Sequence, residues 1–183
     1  MTPKTSLTEA VQHFLNALTA SPPSTPNLLK TFTTNPRPLI HEHGLQQLAP
    51  FLGRTFTGSE GVTRYFEILA QYLSIEKMGF ESEDAWVVDE ESMTVSLRGS
   101  ARFVWKETGQ AWDETFFYRL GLARDEGEGK VAVCEYRIWA DTGAAYLARI
   151  GRLEDVLAGD SLGKEQGQKD VLGGGLNVYG SCG

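Results

Sequence analysis

The residues of this chain that could do acid–base chemistry cluster near the end of its last predicted strand, which reads VAVCEYRIWAD over residues 131–141. Side chains of an extended strand alternate between its two faces. One face therefore receives a charged and aromatic set, Glu135, Arg137, Trp139 and Asp141. The opposite face, which includes Tyr136, is apolar. An unpaired buried carboxylate loses several kcal/mol of hydration, so the pattern predicts that the charged face lines a pocket.

Asp141 is open to two interpretations. In an apolar pocket its carboxyl group could act as a general acid or base, with Arg137 orienting it. Alternatively, Asp141 caps the helix that follows, because an aspartate directly before Thr142 and Gly143 is a common helix start. The first interpretation makes Asp141 catalytic and the second makes it structural.

Glu114 lies on the preceding predicted strand, on the same face as Trp112 and Phe116. It is a second candidate for acid–base chemistry. We favour a structural interpretation, in which Glu114 forms a cross-strand ion pair with Arg137, because opposite charges on facing strands stabilise each other.

His41 and His43 project together from a short predicted strand, with Glu42 on its other side. A histidine pair of this spacing can bind a metal or transfer a proton near neutral pH. Two ligands on one strand are too few for zinc, and no third ligand is evident. We therefore predict no metal. Either one histidine faces the pocket mouth as an acid or base partner of Asp141, or both are ordinary polar residues of a strand edge.

Aromatic residues share the strand faces of Glu114 and Asp141, and they are predicted to form the pocket walls. A cavity of this kind, apolar with a few converging polar groups, suits a hydrophobic ring system such as a polyketide or a terpenoid. The candidate ligand-binding residues are Trp112, Phe116, Tyr118, Glu135, Trp139 and Tyr65.

The composition excludes several classes of protein. A net charge of -7 without a Lys/Arg cluster argues against nucleic acid as the partner. No run is long enough to span a membrane, and the N-terminal residues lack the apolar stretch of a secretory signal, so we expect a cytoplasmic protein. Cys134 and Cys182 offer no basis for a disulfide bond or a zinc site.

Apolar periodicity predicts three helices in the first half of the chain. The first begins at a capping box formed by Ser6 and Glu9, and the second has Thr25 as cap and Pro26 in its first turn. The third spans residues 57–74, with Ser59 available as cap. Between the second and third helices, residues 37–43 read as a short edge strand, because proline is tolerated at strand edges.

Four runs rich in β-forming residues follow, at residues 75–89, 92–106, 111–123 and 130–141. Acidic or glycine-containing turns separate them, which indicates an antiparallel meander. A closing helix is predicted from Asp141 or Thr142 to Leu157. Helices that precede a run of strands indicate an α+β fold. We expect one domain over residues 1–158 and a glycine-rich disordered tail over residues 159–183.

The order of these elements, together with two motifs, resembles the SnoaL-like branch of the nuclear transport factor 2-like (NTF2-like) superfamily, and its uncharacterised fungal members in particular. The first motif is PFLGRTFTGSEGV, residues 50–62, which leads into the third helix. The second is EYRIWAD, residues 135–141, at the end of the last strand. The resemblance covers residues 6–153.

The resemblance implies a cone-shaped, mixed but mostly antiparallel sheet wrapped around the three N-terminal helices, with an apolar pocket and no cofactor. Related enzymes carry out proton transfer there as isomerases, cyclases, dehydratases or hydrolases, and Asp141 matches an acid that is catalytic in some of them. Other members only bind ligands, so a non-catalytic binding or dimer-scaffold domain is the alternative. Because the outward sheet face, with Tyr136 and Ile138, is predicted to be apolar, we expect a homodimer through it.

Overall fold

The structure is a computed structural model that describes residues 3–21 and 23–159. It confirms the predicted α+β fold, in which a curved sheet packs against helices on its concave face. No helix in the described part of the chain is long and apolar enough to cross a membrane. The predicted disordered tail, apart from Gly159, lies outside the described residues.

The described residues form five α-helices, with the bounds α1 Pro3–Leu18, α2 Thr25–Leu29, α3 Gly58–Tyr72, α4 Thr142–Arg149 and α5 Leu153–Leu157. The three predicted N-terminal helices are present, but each begins differently from the prediction. Helix α1 starts at Pro3, so Ser6 lies inside it. Ser24 rather than Thr25 caps α2, and Thr57 rather than Ser59 is the N-cap of α3.

Seven strands form one sheet within the described residues. Their bounds are β1 Leu39–Glu42, β2 Thr55–Thr57, β3 Leu73–Phe80, β4 Val87–Asp89, β5 Thr94–Trp105, β6 Ala111–Arg124 and β7 Val131–Trp139. The order is β2-β1-β7-β6-β5-β3, with β4 also paired to β5. The antiparallel meander is confirmed, except that its first predicted run divides into β3 and β4 around a 3-10 turn at Glu83–Ala85.

Strand β1 is an interior strand, so the prediction of an edge strand was wrong. It pairs with β2 on one side and runs parallel to β7 on the other. Pro38 lies just before β1 and removes no ladder hydrogen bond from it, which is why an interior position is possible. Ile40 and Glu42 consequently face the helices and are buried.

The two faces of β7 are the reverse of the prediction. Tyr136 is only 2% exposed and faces the helices, where its ring packs edge-on against Phe14 of α1 at 5.0 Å. Glu135, Arg137 and Trp139 lie on the outer face. The reason is energetic, because burying a large aromatic side chain is favourable whereas burying charged groups requires compensation.

The predicted closing helix is two helices. Gly151 adopts φ +72°, a left-handed conformation that glycine reaches without strain. The backbone N–H of Gly151 donates to the carbonyl of Ala148 and that of Arg152 to the carbonyl of Leu147, which ends α4. The chain then turns into α5.

Gly99 is required by close packing on the inner face of β5. A Cβ atom added there would lie 2.6 Å from Cζ of Phe116 and 2.8 Å from Cδ1 of Phe80. We expect Gly99→Ala to lower the free energy of unfolding by about 1–3 kcal/mol, because it overpacks these rings. Gly79→Ala in β3 is the matched control, since an added Cβ meets nothing within 4 Å there. Urea denaturation measures both, and equal stabilities would contradict this packing.

Candidate active site

A cavity of about 900 Å³ lies between the concave face of the sheet and helices α1 to α4. Its inner wall is built from alternating residues of β6 and β7, which project toward the helices. This wall includes Trp112, Glu114, Phe116, Tyr118, Tyr136 and Ile138. Glu42 of β1, Tyr65 of α3 and Asp141 complete the set.

Glu42 is the most deeply buried carboxyl group of this cavity, at 6% exposure. Its Oε2 accepts a hydrogen bond of 2.6 Å from the hydroxyl of Tyr65. Within the described residues, its other oxygen has no hydrogen-bond donor. Burial raises the pKa of Glu42 to about 7, the bond from Tyr65 opposes that rise, and the nearby Glu114 adds to it. The group therefore exists in both protonation states near neutral pH.

The backbone around Glu42 is fixed on both sides. Its carbonyl accepts from the N–H of Gly53 at 2.8 Å, and the N–H of His43 donates to the carbonyl of Ile138 on β7 at 2.9 Å. Tyr65 belongs to the buried stripe of α3, together with Val62 and Ile68. Both members of the Glu42–Tyr65 pair thus project from packed elements, which preserves their geometry.

Three tyrosine side chains meet beside Glu42. The ring of Tyr136 lies edge-on to that of Tyr118 at 4.8 Å and to that of Tyr65 at 6.5 Å. Burial raises the pKa of each of the three tyrosines above its ordinary value. All three hydroxyl groups are consequently protonated at neutral pH and can donate hydrogen bonds.

Glu114 is the second carboxyl group of the wall. Its Oε2 accepts from the indole N–H of Trp112 at 2.5 Å, and its Oε1 accepts from the backbone N–H of Asp141 at 3.1 Å. Burial raises the pKa of Glu114, and these two hydrogen bonds act in the opposite direction. They hold the carboxyl group in one orientation at the start of α4.

The carboxylate of Asp141 caps helix α4. Its Oδ1 accepts from the backbone N–H groups of Gly143 and Ala144, each at 3.0 Å. The predicted capping role therefore accounts for Oδ1 of Asp141. Asp141 also lines the cavity. Its predicted acid–base role stays a prediction.

Arg137 and Glu135 lie on the outer face and do not line the cavity. Nε of Arg137 is 2.7 Å from Oε1 of Glu135, whose Oε2 is 2.7 Å from the guanidinium of Arg119. The predicted Glu114–Arg137 ion pair was wrong, because the two side chains project from opposite faces of the sheet. Arg137 is equally unable to orient the carboxylate of Asp141 from inside the cavity.

His41, His43 and Trp139 also lie outside the cavity. Nδ1 of His41 is 3.0 Å from the hydroxyl of Thr55 on β2, and the ring of His43 stacks on Trp139 at 4.3 Å. Burial and then Arg137 lower the pKa of His41; burial, His41 and Arg137 lower that of His43. The described residues contain no group of three His, Cys, Asp or Glu side chains that could hold a metal ion.

Sequence reasoning missed Glu42 and Tyr136 as wall residues. For Glu42 the available signal was its alternation with Ile40, which places both on one face of β1. The sequence interpretation instead considered His41 and His43, which lie on the opposite face of β1. For Tyr136 the signal was the apolar side of β7, which was assigned to a dimer interface.

No protein-family model and no curated protein matches the sequence. Solved structures do match. A putative isomerase from Bacillus subtilis is 11% identical, with a TM-score of 0.61 over 82% of this chain and 97% of that one. The BvnE pinacolase from Penicillium brevicompactum is 12% identical, with a TM-score of 0.57 over 86% and 99%.

An NTF2-like protein from Burkholderia xenovorans is 17% identical, with a TM-score of 0.58 over 79% of this chain and 95% of that one. These matches span almost the whole of the matched chains at low sequence identity, so what they establish is architecture. The described part of this chain has the NTF2-like fold.

Proposed function

We propose that this protein is a cofactor-independent enzyme that isomerises, cyclises, dehydrates or hydrolyses an apolar, polyketide- or terpenoid-like metabolite by general acid–base chemistry. One observation carries the proposal. Glu42 is a buried carboxyl group whose pKa of about 7 suits both proton donation and proton removal near neutral pH, and it faces a cavity large enough for a ring system.

The residues of the cavity have distinct roles in this chemistry. Ionised Glu42 removes a proton from the bound molecule, or protonated Glu42 delivers one. The neutral hydroxyls of Tyr118 and Tyr136 can donate hydrogen bonds to an oxygen on which negative charge develops. Glu114 is the second carboxyl group, and Asp141 contributes the backbone N–H that holds it.

The similar structures are consistent with this class of chemistry. The matched structures include putative isomerases, a ketosteroid isomerase-like protein and a pinacolase. Because the fold also supports unrelated functions, the assignment depends on Glu42 and its surroundings rather than on the fold.

A non-catalytic binding or dimer-scaffold domain is the second candidate. The observation that favours it is that Arg119 and Arg137 both pair with Glu135 on the outer face. None of these three charged groups lines the cavity, so none can act on a molecule bound there. The size of the cavity favours at least ligand binding in either case.

We also propose a homodimer formed through the outer sheet face. Tyr136 and Ile138, which were expected to form this interface, face inward and do not contribute to it. Two other aromatic side chains are exposed there, Phe117 at 44% and Trp139 at 40%, with ring centroids 6.4 Å apart. Exposed aromatic side chains on a sheet face are typical of protein interfaces.

The test of catalysis is the base-catalysed ring opening of nitrobenzisoxazole, a flat apolar probe. A base removes its ring C–H proton, and the electron pair breaks the N–O bond to give a coloured cyanophenolate. We expect catalysis that rises with pH to a plateau with a midpoint near 7, because only ionised Glu42 is a base. Glu42→Gln should lower the rate by about 100-fold.

Glu9→Gln on the exposed side of α1 is the matched control and should leave the rate unchanged. The amide oxygen introduced by Glu42→Gln can still accept the hydrogen bond from Tyr65, so near-ultraviolet circular dichroism should be unaltered. A folded Glu42→Gln protein with the rate of the unaltered chain would refute the assignment of Glu42 as the base.

Sedimentation velocity at micromolar concentration tests the dimer. We expect a species of twice the chain mass of 20.2 kDa. The double substitution Phe117→Glu and Trp139→Glu should give a monomer, because it places charge in the apolar centre of the interface. Leu157→Glu, at an exposed position of α5, is the control and should remain a dimer. A 20.2 kDa species for the unaltered protein would contradict the proposal.

A further inference from the structure

Two of the carboxyl groups that line the cavity, those of Glu42 and Glu114, lie at different levels of the same wall. Glu42 is opposite Ile138 in the sheet, and Ile138 is opposite Tyr118. Glu114 is four residues from Tyr118 along β6, which corresponds to about 13 Å of extended strand. A ligand that fills the cavity therefore passes both carboxyl groups.

Both groups retain capacity to accept hydrogen bonds. One oxygen of Glu42 has no donor within the described residues, although the side chain is more than nine-tenths buried. Each oxygen of Glu114 has one donor, whereas a carboxylate oxygen accepts two. The free acceptor positions of Glu42 are available only to a molecule inside the cavity.

Aromatic rings line the wall beside these carboxyl groups. The rings of Phe116 and Tyr118 stack at 4.6 Å, and the ring of Phe103 lies 5.5 Å from that of Trp112. The face of an aromatic ring carries partial negative charge and attracts cations, most strongly when the cation is desolvated.

No cationic side chain among the described residues neutralises this surface from within. The positively charged side chains that line the cavity are Lys77 and Lys106. Both are exposed, and Nζ of Lys106 donates to the carbonyl of Ala70 at the end of α3. Water therefore screens both charges, whereas Glu42 and the rings of Phe116 and Tyr118 are buried and Glu114 is half-buried.

We infer that the cavity is selective for positive charge, and that its ligand is an apolar ring system that carries a protonated amine or develops positive charge during reaction. This inference concerns the same cavity as the proposed function, and its statement about the reaction rests on that proposed function. Acceptors without donors, a second carboxyl group and aromatic faces converge on one space, and each of these features favours a cation over a neutral or anionic group.

The same surface specifies the type of reaction. Protonated Glu42 gives its proton to the oxygen of an alcohol, the C–O electron pair leaves with that oxygen as water, and positive charge remains on the ring carbon. Glu42 is then a carboxylate beside that carbon, and the rings of Phe116 and Tyr118 lie along the wall. Dehydration and cationic rearrangement fit this surface better than removal of a proton to form an enolate.

Three probes with one naphthalene ring test the charge preference: naphthylmethylamine, naphthylmethanol and naphthoic acid, all substituted at the same ring position. Isothermal titration calorimetry at pH 7 measures their Kd values. We expect the amine to bind at least about tenfold more tightly than the alcohol, and the acid to bind most weakly. Glu114→Gln should remove most of the advantage of the amine over the alcohol.

Glu9→Gln, outside the cavity, should preserve the full preference. Equal Kd values for amine and alcohol, tighter binding of the acid, or failure of all three probes to bind at millimolar concentration would overturn the inference. The outcome is separable from that of the proposed function. If the amine binds most tightly but Glu42→Gln turns over nitrobenzisoxazole at the unaltered rate, the inference is supported and Glu42 is not the base. If Glu42→Gln lowers the rate but the amine has no advantage, Glu42 is the base and the inference is wrong.

Discussion

The burial of one carboxyl group, that of Glu42, is the constraint on which the rest of this structure depends. A rise of the pKa from 4.5 to about 7 means that ionising Glu42 in the folded protein costs about 3 kcal/mol more than in water. Because the folded state binds this proton more tightly than the unfolded state, the stability of the fold decreases as the pH rises from about 4.5 to about 7. Packing alone would favour an apolar residue at this position.

The surrounding elements make this burial possible. Strand β1 lies between β2 and β7, so both of its backbone edges are paired, and its inward side chains Ile40 and Glu42 are buried. Helix α3 then supplies the hydroxyl of Tyr65 as the donor to Glu42. The three tyrosines give the carboxyl group a polar surrounding, and no described residue places a positive charge beside it. Such an environment keeps the proton mobile, whereas a buried arginine would have fixed Glu42 as a carboxylate.

The sheet also separates two kinds of charge. On its outer face, Arg119 and Arg137 both pair with Glu135 within reach of solvent, where ion pairs contribute little to stability. On its inner face, carboxyl groups have hydroxyl, indole and amide donors in place of cations. This separation explains why the charged side chains most conspicuous in the sequence are not the ones that line the cavity.

The sequence predicted the helices, the strand meander and the fold, because those depend on local periodicity and turn residues. It also predicted that Trp112, Glu114, Phe116 and Tyr118 share one face of β6. It could not indicate which face of β7 is inward, since alternation defines two faces and only long-range contacts, such as Phe14 against Tyr136, select one. Glu42 was missed for a similar reason. Its burial depends on Tyr65, 23 residues away, and glutamate in a short strand is ordinarily a surface residue.

The central claim is that Glu42 holds its proton up to neutral pH. The most direct test is an infrared titration of the carboxyl band, recorded as the difference between the unaltered protein and Glu42→Gln. The structure predicts a single carboxyl group that loses its proton with a midpoint near pH 7. A midpoint near 4.5, the ordinary value for a glutamate, would contradict it.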